Sequence, residues 1–432
     1  MKVLLLSVNR SRTLVPPFPF GLACVVASVD ARRHEVVVWD AMFHEDWAAS
    51  LRGKLRDFQP QVVGLSVRNV DDQEIRHPTF FLDEAREMVT VCREESEAVL
   101  VAGGSGFSIF PAEAFTYLGV DFGIAGEGER AFNILLDSLE EGVRPAHIPG
   151  LVWREGEQVC VAPPEWIESL DTLALPDRAQ LDVARYYDLQ GGAAIPNMAT
   201  VQSKRGCPLP CIYCSTFAVE GTRHRVRSPE SVVQEIEGLV GRGFRRVHFL
   251  DSIFTHPARH AEQICGGLIR RGLDVRWSCT VNPGFADPAL LRLMKRAGCA
   301  LTMIGNESGC TGMLDRLRKD FTRADVERCF SVCESEGIRY NAFLLVGGPG
   351  EDRASVEESV ELMERFRPSQ VSISVGIRLY PGCELTRIAE AEGVLRPGES
   401  LLLPKFYLSP KIRDWIWGYL DPIMQRHGNW TY

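Results

Sequence analysis

The sequence has no apolar run approaching the roughly 18 residues that a spanning helix needs, so no transmembrane segment is expected. It has no excess of basic residues either. Its 48 Lys+Arg stand against 57 Asp+Glu, a net charge of −9, which argues against broad nucleic-acid binding because that depends on neutralising phosphates. The run Arg223-His-Arg-Val-Arg227 is a local exception, read first as a solvated connection into the next helix and second as an anion site. No charged leader precedes an apolar stretch: Met1-Lys-Val-Leu-Leu-Leu-Ser-Val reads as a buried strand rather than a signal peptide. The expectation is a cytoplasmic chain with reduced thiols. Ten of its 13 cysteines (Cys24, Cys92, Cys160, Cys265, Cys279, Cys299, Cys310, Cys329, Cys333, Cys383) are scattered, and most should be small buried hydrophobes.

What is present is an ordinary globular composition, 45% hydrophobic and 24% charged, over 432 residues. That length supports two or three domains, each able to bury a core. In the first 145 residues apolar runs at 3–7, 35–39, 62–67, 99–102 and 122–124 alternate with helical patterns at 22–31, 47–58, 82–95, 111–118 and 129–141. The βα repeat predicts a doubly wound parallel sheet, whose ligands sit at the carboxyl ends of the strands. Three stretches fall there: Ser66-Val-Arg68-Asn69, Gly103-Gly104-Ser105-Gly106 and Gly126-Glu127-Gly128-Glu129. Taken singly, each suits a turn as well as a site.

Residues 146–195 carry several prolines and a hairpin-like segment at 152–159, and read as a connector. From residue 196 the βα alternation resumes for six units, with strands expected at 199–203, 246–251, 275–281, 300–305, 340–346 and 371–378. Six units fall short of the eight of a closed barrel. A tail at 396–432, dense in aromatics but too short for a core of its own, is expected to pack on the barrel.

Just after the first strand of this second half stands Cys207-Pro-Leu-Pro-Cys211-Ile-Tyr213-Cys214. Clustered thiolates suit iron–sulfur clusters, zinc or copper(I), and a cubane normally takes four. With only three, a cluster would keep one iron open to a substrate or cofactor. A zinc knuckle short of a ligand and three incidental cysteines are the alternatives, and the nearest histidines, His224 and His248, show no zinc spacing.

The C-x3-C-x2-C spacing with an aromatic residue before the last cysteine resembles the radical S-adenosylmethionine (SAM) enzymes. Further stretches match that superfamily in order: Asp251-Ser252 after the second strand, Asn306-Glu307-Ser308-Gly309 after the fourth, Gly347-Gly348-Pro-Gly-Glu351 after the fifth and Arg378 after the sixth. The first half resembles the cobalamin-binding-type domain that precedes the barrel in one branch of the superfamily. It departs from domains with the D-x-H-x-x-G motif, since the loop at 9–17 has no histidine.

The resemblance implies a [4Fe-4S] cluster on Cys207, Cys211 and Cys214, and SAM contacts from Tyr213, Asp251, Ser252, Glu307, Ser308, Gly347, Gly348 and Arg378. It also implies cobalamin contacts from Ser66, Arg68, Asn69, Gly103, Gly104, Gly126 and Glu127. The activity it implies is cobalamin-dependent methyl transfer to an unactivated carbon or phosphorus of a small metabolite or lipid, driven by an external electron donor. A radical cyclase, a rearrangement or aminocarboxypropyl transfer is the alternative within the superfamily. A zinc-stabilised binding protein is the alternative outside it.

Overall fold

The computed structural model describes residues 1–12, 17–145, 147–188 and 198–432. Part of the loop expected at 9–17, and residues 146 and 189–197 at the two ends of the expected connector, lie outside the described residues. The chain forms two compact units: residues 1–72, 78–196 and 216–221 in one, and 73–77, 197–215 and 222–432 in the other.

The first unit is built on β1 (Lys2–Ser7), β2 (Glu35–Asp40), β3 (Val62–Ser66), β4 (Val99–Gly103) and β5 (Phe122–Ile124), all parallel. The run Val3-Leu-Leu-Leu6 is buried on both faces, as a central parallel strand requires. The strand order β2-β1-β3-β4-β5 reverses between β1 and β3, which creates a crevice at the carboxyl ends of those strands. One expectation changes here. Residues assigned to the connector form β6 (Leu151–Glu155) and β7 (Gln158–Val161), which extend the sheet antiparallel beyond β5.

The second unit carries β8 (Met198–Val201), a short ribbon of β9 (Lys204–Arg205) with β10 (Arg225–Val226), then β11 (Arg246–Phe249), β12 (Arg276–Val281), β13 (Cys299–Glu307), β14 (Arg339–Val346) and β15 (Gln370–Val375). The main strands pair in parallel in the order β8-β11-β12-β13-β14-β15, without reversal. Right-handed crossovers all advancing one way put every connecting helix on the same face of the sheet. Burial follows: Val247, Trp277, Cys279, Ile304, Ala342, Leu344 and Ile373 are nearly fully buried against the helices, while alternate residues on the opposite face are half-exposed. Trp277 anchors that core, its ring set edge-on to Phe249 and its indole N–H donating to the Ala297 carbonyl at 2.8 Å.

The strand expected at 371–378 is broken at Gly376, whose φ of +78° ends β15. Beyond it, β16 (Ile377–Arg378) pairs with β17 (Phe406–Tyr407), and β18 (Trp430–Thr431) adds a parallel strand beside β15. The tail is therefore part of the sheet. Eight of the ten scattered cysteines are buried, Cys160 and Cys310 being half-buried.

The basic run at 223–227 is less solvated than expected. Arg225 is 5% exposed and Arg227 9%, the latter paired with buried Glu235 at 2.5 Å and donating to Ser231 Oγ at 2.9 Å. Removing one partner of such a pair strands the other charge. Glu235→Ala should lower the unfolding free energy of this unit by about 3–5 kcal/mol in denaturant titration, with Glu235→Gln losing less.

Candidate metal centre and cofactor sites

The cysteine loop leaves the carboxyl end of β8 and is pinned on both flanks. At its entry the carboxylate of Asp251, 2% exposed at the end of β11, accepts from the Ser203 backbone N–H at 2.7 Å, from the Lys204 N–H at 3.3 Å and from the Ser203 hydroxyl. Lys204 is itself buried, its ammonium donating to the carbonyls of Phe254 and His256 at 2.9 Å each. Further along, Ile212 is 3% exposed and ties the loop to Leu317 and Leu385 through backbone hydrogen bonds. The Cys383 thiol donates to the Cys214 carbonyl at 3.5 Å.

Cys207, Cys211 and Cys214 form no disulfide with any described residue and are all half-buried. A single tetrahedral ion needs its sulfurs about 4 Å apart. Among the described residues, the one group of metal-ligating atoms all within 4.8 Å of one another is His34, Asp137 and Glu140, and it is already bridged by Arg33. Cys207, Cys211 and Cys214 do not form such a group, so the three sulfurs are not gathered as a single-ion site. His224 and His248 do not join them: His224 packs 5.0 Å from His256, and His248 bonds to Ser278. Burial pushes the Cys211 thiol up to about 11.

Beside the loop lies a buried polar network that sequence reasoning found only in part. The β13–β14 register shifts between Ile304 and Glu307, and Glu307 takes a φ of +59°. Its Oε1 accepts from Tyr213 Oη at 2.9 Å and from Lys319 Nζ at 3.0 Å. Lys319 also lies 5.2 Å over the Tyr213 ring. Burial alone would lower the Lys319 pKa, but the Glu307 carboxylate and the nearby Cys211 thiol hold it above its ordinary value. Lys319 was missed because Arg316-Leu-Arg-Lys319-Asp reads as a solvated charge run. Ser252 is half-buried, and its hydroxyl has no hydrogen-bond partner among the described residues.

Other expected SAM contacts are occupied within the protein. Ser308, 1% exposed, is bonded to Ser359 Oγ at 3.0 Å and accepts from the Cys310 N–H at 3.1 Å. The N–H groups of Gly347 and Gly348 both donate to Glu351, the second at 3.0 Å. A Cβ on Gly348 would fall 2.9 Å from the terminal methyl of Met313, a flexible side chain that can yield. Arg378, 3% exposed, gives its guanidinium to the carbonyls of Leu379, Leu401 and Leu402 at 2.7, 2.8 and 3.2 Å, tethering the tail. Asp251, likewise, holds the loop entry.

In the first unit, Ser66, Asn69, Gly103, Gly104, Gly126 and Glu127 are half-buried and Arg68 is exposed, gathered at the carboxyl ends of β3, β4 and β5. Gly104 has φ +102°, and a Cβ there would fall 2.5 Å from the Val67 carbonyl oxygen, so the β3 and β4 loops approach too closely for a side chain. Ser105 Oγ donates to the Arg68 carbonyl at 2.8 Å. Glu127 accepts from the Ile167 N–H at 2.7 Å, which fixes the β5 loop against the connector.

Two family models match the chain, the radical SAM superfamily over residues 201–363 and the B12 binding domain over residues 8–136. The chain belongs to the cobalamin-binding radical SAM enzymes. It is 28% identical to the tryptophan 2-C-methyltransferase of Streptomyces laurentii, over 87% of this chain and 72% of that one. It is 26% identical to the cytidylyl-2-hydroxyethylphosphonate methyltransferase of Streptomyces wedmorensis, over 93% and 84%. Among solved structures, the radical SAM methyltransferase TsrM of Kitasatospora setae, with tryptophan and a SAM analogue bound, superposes with a TM-score of 0.86 at 25% identity, over 98% of this chain and 88% of that one. TsrM with cobalamin and a [4Fe-4S] cluster bound also superposes, with a TM-score of 0.85 at 24% identity. Three cysteines on one loop, the half-buried Ser252, and the glycines and exposed Arg68 at the strand ends of the first unit are chemically compatible with such groups.

Glu351 supplies a test of the glycine turn. Burial pushes its carboxyl up to about 7 against an ordinary 4.5, the two glycine N–H groups opposing the rise. The folded chain therefore binds this proton more tightly than the unfolded one, and the stabilisation is full below pH 4.5 and lost as pH rises through about 7. The melting temperature of the wild type minus that of Glu351→Gln should fall across that window. A difference that does not change with pH would contradict the assignment.

Proposed function

We propose that this enzyme is a cobalamin-dependent methyltransferase acting on an unactivated carbon or phosphorus of a small metabolite or lipid, in the cytoplasm, with electrons from an external donor. The observation that carries the reading is the pinned three-cysteine loop beside Glu307, Lys319 and Tyr213, in a chain that also holds a B12-binding domain. Cys207, Cys211 and Cys214 would hold the cluster, and Ser66, Arg68, Asn69, Gly103, Gly104 and Gly126 would hold cobalamin. When bound, the cluster supplies an electron for SAM cleavage and cobalamin carries the methyl group.

The chain's own residues have separable tasks. Asp251 and Lys204 hold the loop entry so that the thiols keep their spread. Glu307 keeps Oε2 without a protein partner while Oε1 is fixed by Tyr213 and Lys319, so it is placed to accept from the SAM amino group. Ser252 offers a second polar contact. Gly347, Gly348, Ser308 and Arg378 shape the strand ends around that position.

Anaerobically reconstituted wild type, given SAM and reductant, should release 5′-deoxyadenosine, and S-adenosylhomocysteine only when cobalamin is supplied. The alanine variants of Cys207, Cys211 and Cys214 should lose iron–sulfur absorption and both products. Formation of 5′-deoxyadenosine alone, unchanged by cobalamin, would move the reading to radical chemistry without methyl transfer.

A further inference from the structure

The two flanks of the cysteine loop are built differently. At its entry Lys204 and Asp251 stand 4.0 Å apart, both buried, so their charges oppose each other locally. The far flank is the turn after the helix Thr311–Arg316, where Arg316-Leu-Arg318-Lys319 carries three cations. The backbone sorts them. Arg316 and Arg318 are exposed, Arg318 with a left-handed φ of +55° and its guanidinium on Glu384 at 2.6 Å. Beyond that residue the chain turns back, the Lys319 N–H donating to the Leu314 carbonyl at 2.9 Å, and the Lys319 side chain is buried, only 7% exposed.

Three contacts set this lysine against the cysteine loop. The Ile212 N–H donates to the Leu317 carbonyl at 3.4 Å, which joins the turn to the loop through the backbone. The Lys319 ammonium lies 5.2 Å over the ring of Tyr213, the residue between Ile212 and Cys214. It also donates to Glu307 Oε1 at 3.0 Å, the oxygen that Tyr213 Oη reaches at 2.9 Å. Burial works against the charge, and the Glu307 carboxylate outweighs it. As a stabilising device such a pair is weak, because desolvation offsets its attraction. A buried cation does act at a distance, since little solvent screens it, whereas an exposed one such as Arg318 is screened.

We propose that Lys319 sets the reduction potential of the cluster held by Cys207, Cys211 and Cys214. Its fixed positive charge favours the reduced cluster, which carries one electron more, and net charge around a cluster is one of the levers on its potential. The electron comes from the external donor, which is oxidised by that one electron, and no bond forms or breaks in the step. The proposal rests on the cluster reading of the three cysteines and is independent of the methyl acceptor.

The test is a redox titration of the anaerobically reconstituted enzyme without SAM, followed by electron paramagnetic resonance. Lys319→Gln removes the charge and keeps a donor for Glu307, while Lys319→Met removes both. The cluster midpoint should move to more negative potential in these two variants, stay near the wild-type value in Lys319→Arg, and be unchanged in Arg318→Met, which removes an exposed charge one residue away. A midpoint unmoved in both neutral variants, or an equal fall in Lys319→Arg or Arg318→Met, would overturn the proposal. Loss of cluster iron from both neutral variants would assign the lysine to cluster assembly and overturn it as well. Uptake of zinc and no iron by the wild type would sink the cluster reading itself, whereas a wild-type cluster whose midpoint ignores the neutral variants would count against Lys319 alone.

Discussion

The site depends on one buried carboxylate. Asp251 ends β11 with its charge held by two backbone N–H groups and a hydroxyl from the turn that leaves β8. A carboxylate that buried is stable only when its acceptor capacity is met, and here the partners are the first residues of the cysteine loop. The loop therefore cannot drift from the strand ends without exposing an unsatisfied charge. Lys204 works the same way from the other side, since its ammonium is met by two carbonyls and stands 4.0 Å from Asp251. Three thiols on a loop rich in Pro and Gly thereby acquire a fixed spread.

The second constraint is topological. Because β8, β11, β12, β13, β14 and β15 pair in sequence order, every crossover lands on one face and the other stays free of helices. The same alternation of side chains that packs Val247, Trp277 and Cys279 into the core sets His248, Ser278 and Thr280 on the uncovered face. The buried core and the helix-free face are thus two readings of one period-two pattern.

The architecture was legible because it is written in local periodicity: the parallel strands of both units and the cysteine spacing were visible in the sequence. What was not legible depends on partners far apart in the chain. Asp251 looked like a cap or a SAM contact, since nothing near it reveals that its partners are Ser203 and Lys204. Ser308 sits in a stretch that matches the superfamily, yet its hydroxyl is turned to Ser359. Arg378 promised an anion site, but carbonyls at 379, 401 and 402 take it up. Lys319 was hidden among arginines that are exposed or half-exposed. The hairpin at 152–159 was legible, but nothing local shows that it pairs with β5 as an antiparallel edge of the sheet.

The central claim is that Cys207, Cys211 and Cys214 hold a cluster with one iron left open beside Glu307 and Ser252. Electron paramagnetic resonance of the reduced, reconstituted enzyme, with SAM carrying isotopically labelled amino nitrogen, tests it most directly. The account predicts a cluster signal that shifts on adding SAM and shows hyperfine coupling to the labelled nitrogen, lost in Cys211→Ala. A cluster signal indifferent to SAM, or a protein that takes up zinc and no iron, would contradict it.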